Sequence, residues 1–174
     1  IKADPVAIAE RRDAVVKRLV KGLHFLAKKN KVQYIRGRGR LEGPTQVRVA
    51  TVDAEGASSG EVILSGKDVI LATGSRVKSL PGLEPDGKHI VTSDDILGSW
   101  AVPASLVVVG AGAVGVEFAS YYHDLGSEVT VLEYAPAVVP LEDAEISKEV
   151  ERAFSRRGIN VMTSARFDAA AVSA

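Results

Sequence analysis

The sequence contains no cysteine. That excludes a disulfide scaffold, a thiolate metal site and any cysteine redox step carried out by these residues. No apolar run reaches the roughly 18 residues that a membrane-spanning helix needs. No signal peptide is visible, because the first 30 residues are charged throughout. A charge excess is also missing: Lys plus Arg and Asp plus Glu both number 22, so neither nucleic acid nor an anionic membrane is expected as a partner. The three histidines, His24, His89 and His123, are not spaced as a metal pair. Ser59, Ser75 and Ser120 lack the glycine frame of a nucleophile elbow, so neither a metal site nor a hydrolytic constellation is expected.

What is present is ordinary globular composition, 46% hydrophobic and 25% charged over 174 residues, enough for one domain or two partial ones. Asp4-Pro5 is a helix start, an acceptor at the cap followed by proline in the first turn. Ile8, Val15, Val16, Leu19, Val20, Leu23, Leu26 and Ala27 then recur at helical steps and predict one long helix over 5–29. The interleaved Lys17, Arg18, Lys21, Lys28, Lys29 and Lys31 read as its solvated face. Beyond Asn30 the period changes. Val32 to Ile35, Gln46 to Val52 and Glu61 to Leu64 predict an antiparallel meander, with Gly37, Gly39, Gly43-Pro44 and the 53–56 stretch as turns. The apolar run Asp68 to Ala72, ending in Thr73-Gly74-Ser75, predicts a buried parallel strand. Ser93-Asp94-Asp95 caps a short helical turn.

The last third alternates strand and helix. Strands are expected at 106–109, 128–133 and 159–162, with helices at 113–125 and 144–157 stopped by Gly126 and Gly158. This is the pattern of a parallel sheet with right-handed crossovers. The fold expected is α/β, with two partial Rossmann-like three-layer units and an antiparallel β-meander in the first.

The strongest chemical signal is Gly110-Ala111-Gly112-Ala113-Val114-Gly115. A lone G-x-G-x-x-G is weak, but this one follows an apolar strand, opens a helix and is followed by an acidic residue, Glu133, at the end of the next strand. Gly110 suits the tight turn, Gly112 the close approach of a pyrophosphate and Gly115 close helix–strand packing. Free N–H groups at the helix start favour phosphate. A carboxylate at Glu133 accepts from a ribose diol and repels a 2′-phosphate, and no Arg or Lys follows within 134–138, so NAD is expected over NADP. Glu117, early in the helix, reads by position alone as a dipole or surface residue.

The run GAGAVGVE with FAS after it, the strand EVTVLE closing at Glu133, and the upstream blocks KNKVQYIRGRGRLEGP, VILATGSRVKSLPG and TSDDIL together resemble the dihydrolipoamide dehydrogenases of the pyridine nucleotide-disulfide oxidoreductase family. The resemblance covers nearly the whole chain. It implies FAD and NAD as cofactors, with residues 1–98 as the later part of a flavin domain and 99–174 as a truncated NAD domain. It implies that Gly39 and Ala72, Thr73, Gly74 and Ser75 border FAD, and that Gly110, Ala111, Gly112, Ala113, Val114, Gly115, Val116, Glu117, Glu133 and Phe167 border NAD. Glu117 would project toward the flavin–nicotinamide contact, with no catalytic residue proper in the chain.

The family's first glycine motif, its redox cysteines and its C-terminal dimer domain with a His–Glu pair are not found in these residues. The expectation is therefore an internal fragment, inactive by itself, of an enzyme that passes electrons from dihydrolipoamide through a disulfide and FAD to NAD. Implied partners are a lipoyl-domain protein of a 2-oxo acid dehydrogenase complex and a second subunit in a homodimer. The implied location is the cytoplasm or an organelle matrix. Mercuric reductase, transhydrogenase and NADH oxidase share this nucleotide half and remain alternatives. An inert dinucleotide-binding module is the alternative of another class.

Overall fold

The computed structural model of the chain describes residues 3–99 and 101–166. The chain forms two compact units, one of residues 13–76 and the other of the residues up to Arg12 together with those from Val77 on.

Helix α1 spans Pro5–Lys29, as the periodicity predicts. Asp4 Oδ1 accepts from the Val6 and Ala7 N–H groups at 3.0 and 3.1 Å, satisfying two donors that the first turn leaves open. At the other end the Asn30 side-chain amide donates to Leu26 O at 2.8 Å. The apolar stripe is present but largely uncovered: Leu19 is 60% and Leu23 67% exposed.

In the 13–76 unit, β1 (Gly37–Leu41), β2 (Gln46–Val52) and β3 (Ser58–Ser65) form an antiparallel meander in sequence order. Three expectations are corrected here. Val32 to Ile35 is not a strand; the first strand begins later, and Gly37 and Gly39 lie within it, opposite Thr51 and Val49. Gly37 serves the sheet rather than a turn, because a Cβ there would sit 2.2 Å from Ala50 O. Nor is Asp68 to Ala72 a strand: it has no ladder partner among the described residues, and Ile70 is 90% exposed. An apolar run becomes a parallel strand only where neighbouring strands take its N–H and C=O groups, and no such neighbour lies among the described residues.

In the other unit β4 (Ser105–Val109), α3 (Ala113–Asp124), β5 (Glu128–Leu132), α4 (Ala144–Arg157) and β6 (Asn160–Met162) alternate. The strands form a parallel sheet in the order β4-β5-β6. The core is Val129 and Val131 of β5 packed with Ala119, Tyr122, Val138, Phe154 and Ile159. Gly126 and Gly158 take left-handed φ of 102° and 87° where α3 and α4 stop, a conformation that costs glycine little. The Arg157 guanidinium joins the two helices, donating to Ser120 Oγ at 2.8 Å and Asp124 Oδ1 at 2.7 Å. A short helix α2 (Ser93–Gly98) precedes the sheet. Its cap is Thr92 rather than Ser93: Thr92 Oγ1 accepts from Asp95 N while Asp95 Oδ2 accepts from Thr92 N at 2.7 Å, a reciprocal capping box. Among the described residues no helix is long and apolar enough to cross a membrane.

Candidate functional site: the glycine turn and Glu133

β4 ends at Val109, in register with Leu132 of β5. Gly110 leaves the sheet at φ 102° while its N–H still donates to Leu132 O at 2.8 Å. Such a φ after a strand is costly for a residue with a side chain. Gly115 is required for a different reason: a Cβ there would lie 1.9 Å from Gly110 O and 3.4 Å from Val108 Cγ1. It allows α3 to rest against the strand that precedes it.

Gly112 is the informative case. Its φ of −70° suits any residue, and a Cβ would meet nothing within 4 Å. The protein's own packing therefore does not ask for glycine there. The open space lies at the N-cap of α3, where no side chain caps the helix and the first turn carries no acidic residue. The first-turn N–H groups are left for an external acceptor. A dinucleotide pyrophosphate fits this cradle, which a Cβ would partly fill.

Glu133 follows β5 directly and continues its ladder, its N–H donating to Met162 O at 2.8 Å. Its side chain turns back to the glycine turn. Oε2 accepts from Ala111 N at 2.6 Å and Oε1 from Ala135 N at 2.7 Å. Each oxygen keeps a further acceptor direction, so the carboxylate can hold the turn and still receive ribose hydroxyls. Ala111, fully buried, is gripped on its other side too, its C=O accepting from Val139 N at 2.7 Å. Val139 is buried and has φ 40°, a strained conformation for a β-branched residue. Val139 O in turn accepts from Glu142 N at 2.9 Å.

Gly110 and Glu133 share one hollow of about 670 Å³, whose wall includes Val109, Leu132 and Tyr134. Glu117 is exposed and lines a different hollow of about 360 Å³ beside Phe118 and Tyr121. Gly39 and Ala72 to Ser75 belong to the 13–76 unit and are exposed; Gly74 has φ 76°. Phe167 lies outside the described residues. His24 packs edge-on against Tyr34 with ring centroids 5.1 Å apart, and His89 sits 3.7 Å from Asp86. Neither the histidines nor other side chains form a metal-binding group among the described residues. Val139, Lys78 and Arg166 were not legible as site residues. The left-handed backbone of a valine has no sequence mark, and the two cations come from loops remote in sequence from the motif.

A parallel β-α-β-α-β unit with a glycine turn open at a helix start and a carboxylate at the next strand end defines a dinucleotide-binding protein. The chain belongs to the pyridine nucleotide-disulphide oxidoreductase family, whose model matches residues 2–173. It is 46% identical over 156 residues to a dihydrolipoyl dehydrogenase of Zymomonas mobilis, covering 90% of this chain and 32% of that protein. Among solved structures it is similar to LpdA from Mycobacterium tuberculosis, with a TM-score of 0.80 and 30% identity over 95% of this chain and 36% of that one. The HOCl-induced flavoprotein disulfide reductase RclA of Escherichia coli aligns with a TM-score of 0.77 and 27% identity, over 94% of this chain and 36% of RclA. The chain thus spans about a third of the length of the relatives it matches.

Proposed function

We propose that the chain supplies the NAD site and part of the FAD site of a dihydrolipoyl dehydrogenase. In that enzyme electrons pass from dihydrolipoamide through a disulfide and FAD to NAD. The observation that carries the nucleotide site is Gly112, a glycine whose missing Cβ nothing in the protein itself requires. The 46% identity to a dihydrolipoyl dehydrogenase supports the enzyme.

When bound, the two cofactors supply two-electron transfer. The chain's own residues bind and orient. Gly110 to Gly115 and the first turn of α3 receive the pyrophosphate, and Glu133 receives the ribose diol. Val116 and Glu117 continue the nucleotide side, Glu117 toward the flavin; Phe167 flanks the adenine. Gly39 and Ala72 to Ser75 serve FAD, so that residues 1–98 act as flavin domain and 99–174 as NAD domain. With no cysteine among these residues, the dithiol step belongs to residues outside them. The partners are a lipoyl-bearing protein of a 2-oxo acid dehydrogenase complex and a second subunit, in the cytoplasm or an organelle matrix.

The full-length protein should carry a flavin absorbance band and reduce NAD+ with dihydrolipoamide. The alternative is another flavoprotein disulfide reductase, supported by the likeness to RclA at a TM-score of 0.77 and 27% identity. It would be selected by NADH oxidation with a different acceptor and no turnover of dihydrolipoamide.

A further inference from the structure

Preference for NAD follows, on sequence grounds, from an acidic Glu133 with no cation in the residues after it. The fold changes that local picture. The hollow that holds Gly110 and Glu133 is also lined by Lys78, from the loop ahead of β4, and by Arg166, from the turn after β6. Arg166 is brought there by backbone bonds: Ser164 N donates to Ala135 O and Ala165 N to Glu133 O, both at 2.9 Å. Neither cation has an ion pair or hydrogen bond among the described residues, and both are exposed. Glu133, by contrast, is half-buried and holds two backbone N–H groups. Lys78, Glu133 and Arg166 line the same hollow of about 670 Å³, so all three charged side chains border a group bound inside it.

We propose that Arg166 and Lys78 are specificity determinants of this site, and that discrimination against a 2′-phosphorylated nucleotide rests on Glu133 alone. The rim carries two positive charges against one negative. Neutralising Glu133 leaves a 2′-phosphate facing two cations that have no partner among the described residues, and no opposing carboxylate among the described residues that line the hollow. The site is then competent for NADP without an introduced arginine. This rests on the reading of Gly110 to Glu133 as the NAD site.

The test is calorimetric titration of the full-length protein with NAD+ and with NADP+, at low and at moderate salt. E133Q preserves the side-chain shape but withdraws one acceptor from the turn, so both affinities can fall; the ratio of the two is the readout. The ratio of NADP+ to NAD+ affinity should rise at least about tenfold in E133Q, shrink with added salt, and return toward the wild-type value in E133Q/R166A. If E133Q does not fold, R166E in the wild-type background replaces it and should lower the ratio severalfold. A ratio unchanged by E133Q, or by R166E where that variant replaces it, overturns the proposal while leaving the NAD site intact. A wild-type protein that binds neither nucleotide overturns the NAD site and this proposal with it.

Discussion

Three glycines of one turn do three different things, and substitution separates them. Gly115→Ala places a methyl carbon 1.9 Å from a backbone oxygen. Backbone has to move, and the expected loss is about 1–3 kcal/mol of stability, read as a lower urea midpoint. Gly112→Ala meets nothing. It should leave the midpoint nearly unchanged and weaken NAD+ about tenfold or more, because the added carbon enters the space proposed above for the pyrophosphate. Equal stability losses in both variants would show that Gly112 is structural. At this scale much was legible. Gly110, Gly112, Gly115 and Glu133 follow from spacing because their geometry is local to one strand–turn–helix. Val139 was not legible: its role depends on a hydrogen bond to Ala111, far away in sequence, and on a φ that its residue type disfavours.

At the scale of elements, helices were read well and strands less so. A helix satisfies its own backbone, so α1 and α4 match their predicted limits. A strand depends on neighbours, which is why Asp68 to Ala72 looks like one in composition and is not one here. The capping box on α2 gives a simple test: Thr92→Ala should cost about 1 kcal/mol, measured by chemical unfolding. Its acidic partner adds a pH dependence. Hydrogen bonds from the Thr92 backbone N–H and side chain hold the Asp95 carboxyl below its ordinary 3.8. Backbone N–H groups of Lys88 and Ile90, and more weakly His89, do the same for Asp86. A depressed folded value means stability fully present above the ordinary carboxylate range and lost as pH falls through the folded values. The unfolding midpoint should therefore decline below about pH 4, and D86N/D95N should flatten that decline. An equal slope in the double variant would assign the acid sensitivity to other carboxylates.

Over the whole molecule, the residues that sequence patterns assign to a core divide sharply. Val129 and Val131 are enclosed, while Leu23, Ile70 and Leu71 are mostly in water. Periodicity reports which face of an element is apolar; it does not report what covers it. Uncovered apolar surface of this kind binds hydrophobic dyes and self-associates. The 174-residue polypeptide prepared by itself should enhance the fluorescence of such a dye, and Ile70→Asp with Leu71→Asp should reduce the signal. Unchanged fluorescence in that variant would place the dye elsewhere, along α1 for example.

The two-sided grip on Ala111 has a thermodynamic consequence. With its N–H held by Glu133 and its carbonyl by Val139, both backbone groups of the turn at Ala111 are already engaged before any nucleotide arrives. Little ordering is left to be done on association. The Ala111 amide should thus exchange its proton slowly even in the nucleotide-free protein, and NAD+ should add protection at the first amides of α3 rather than at Ala111.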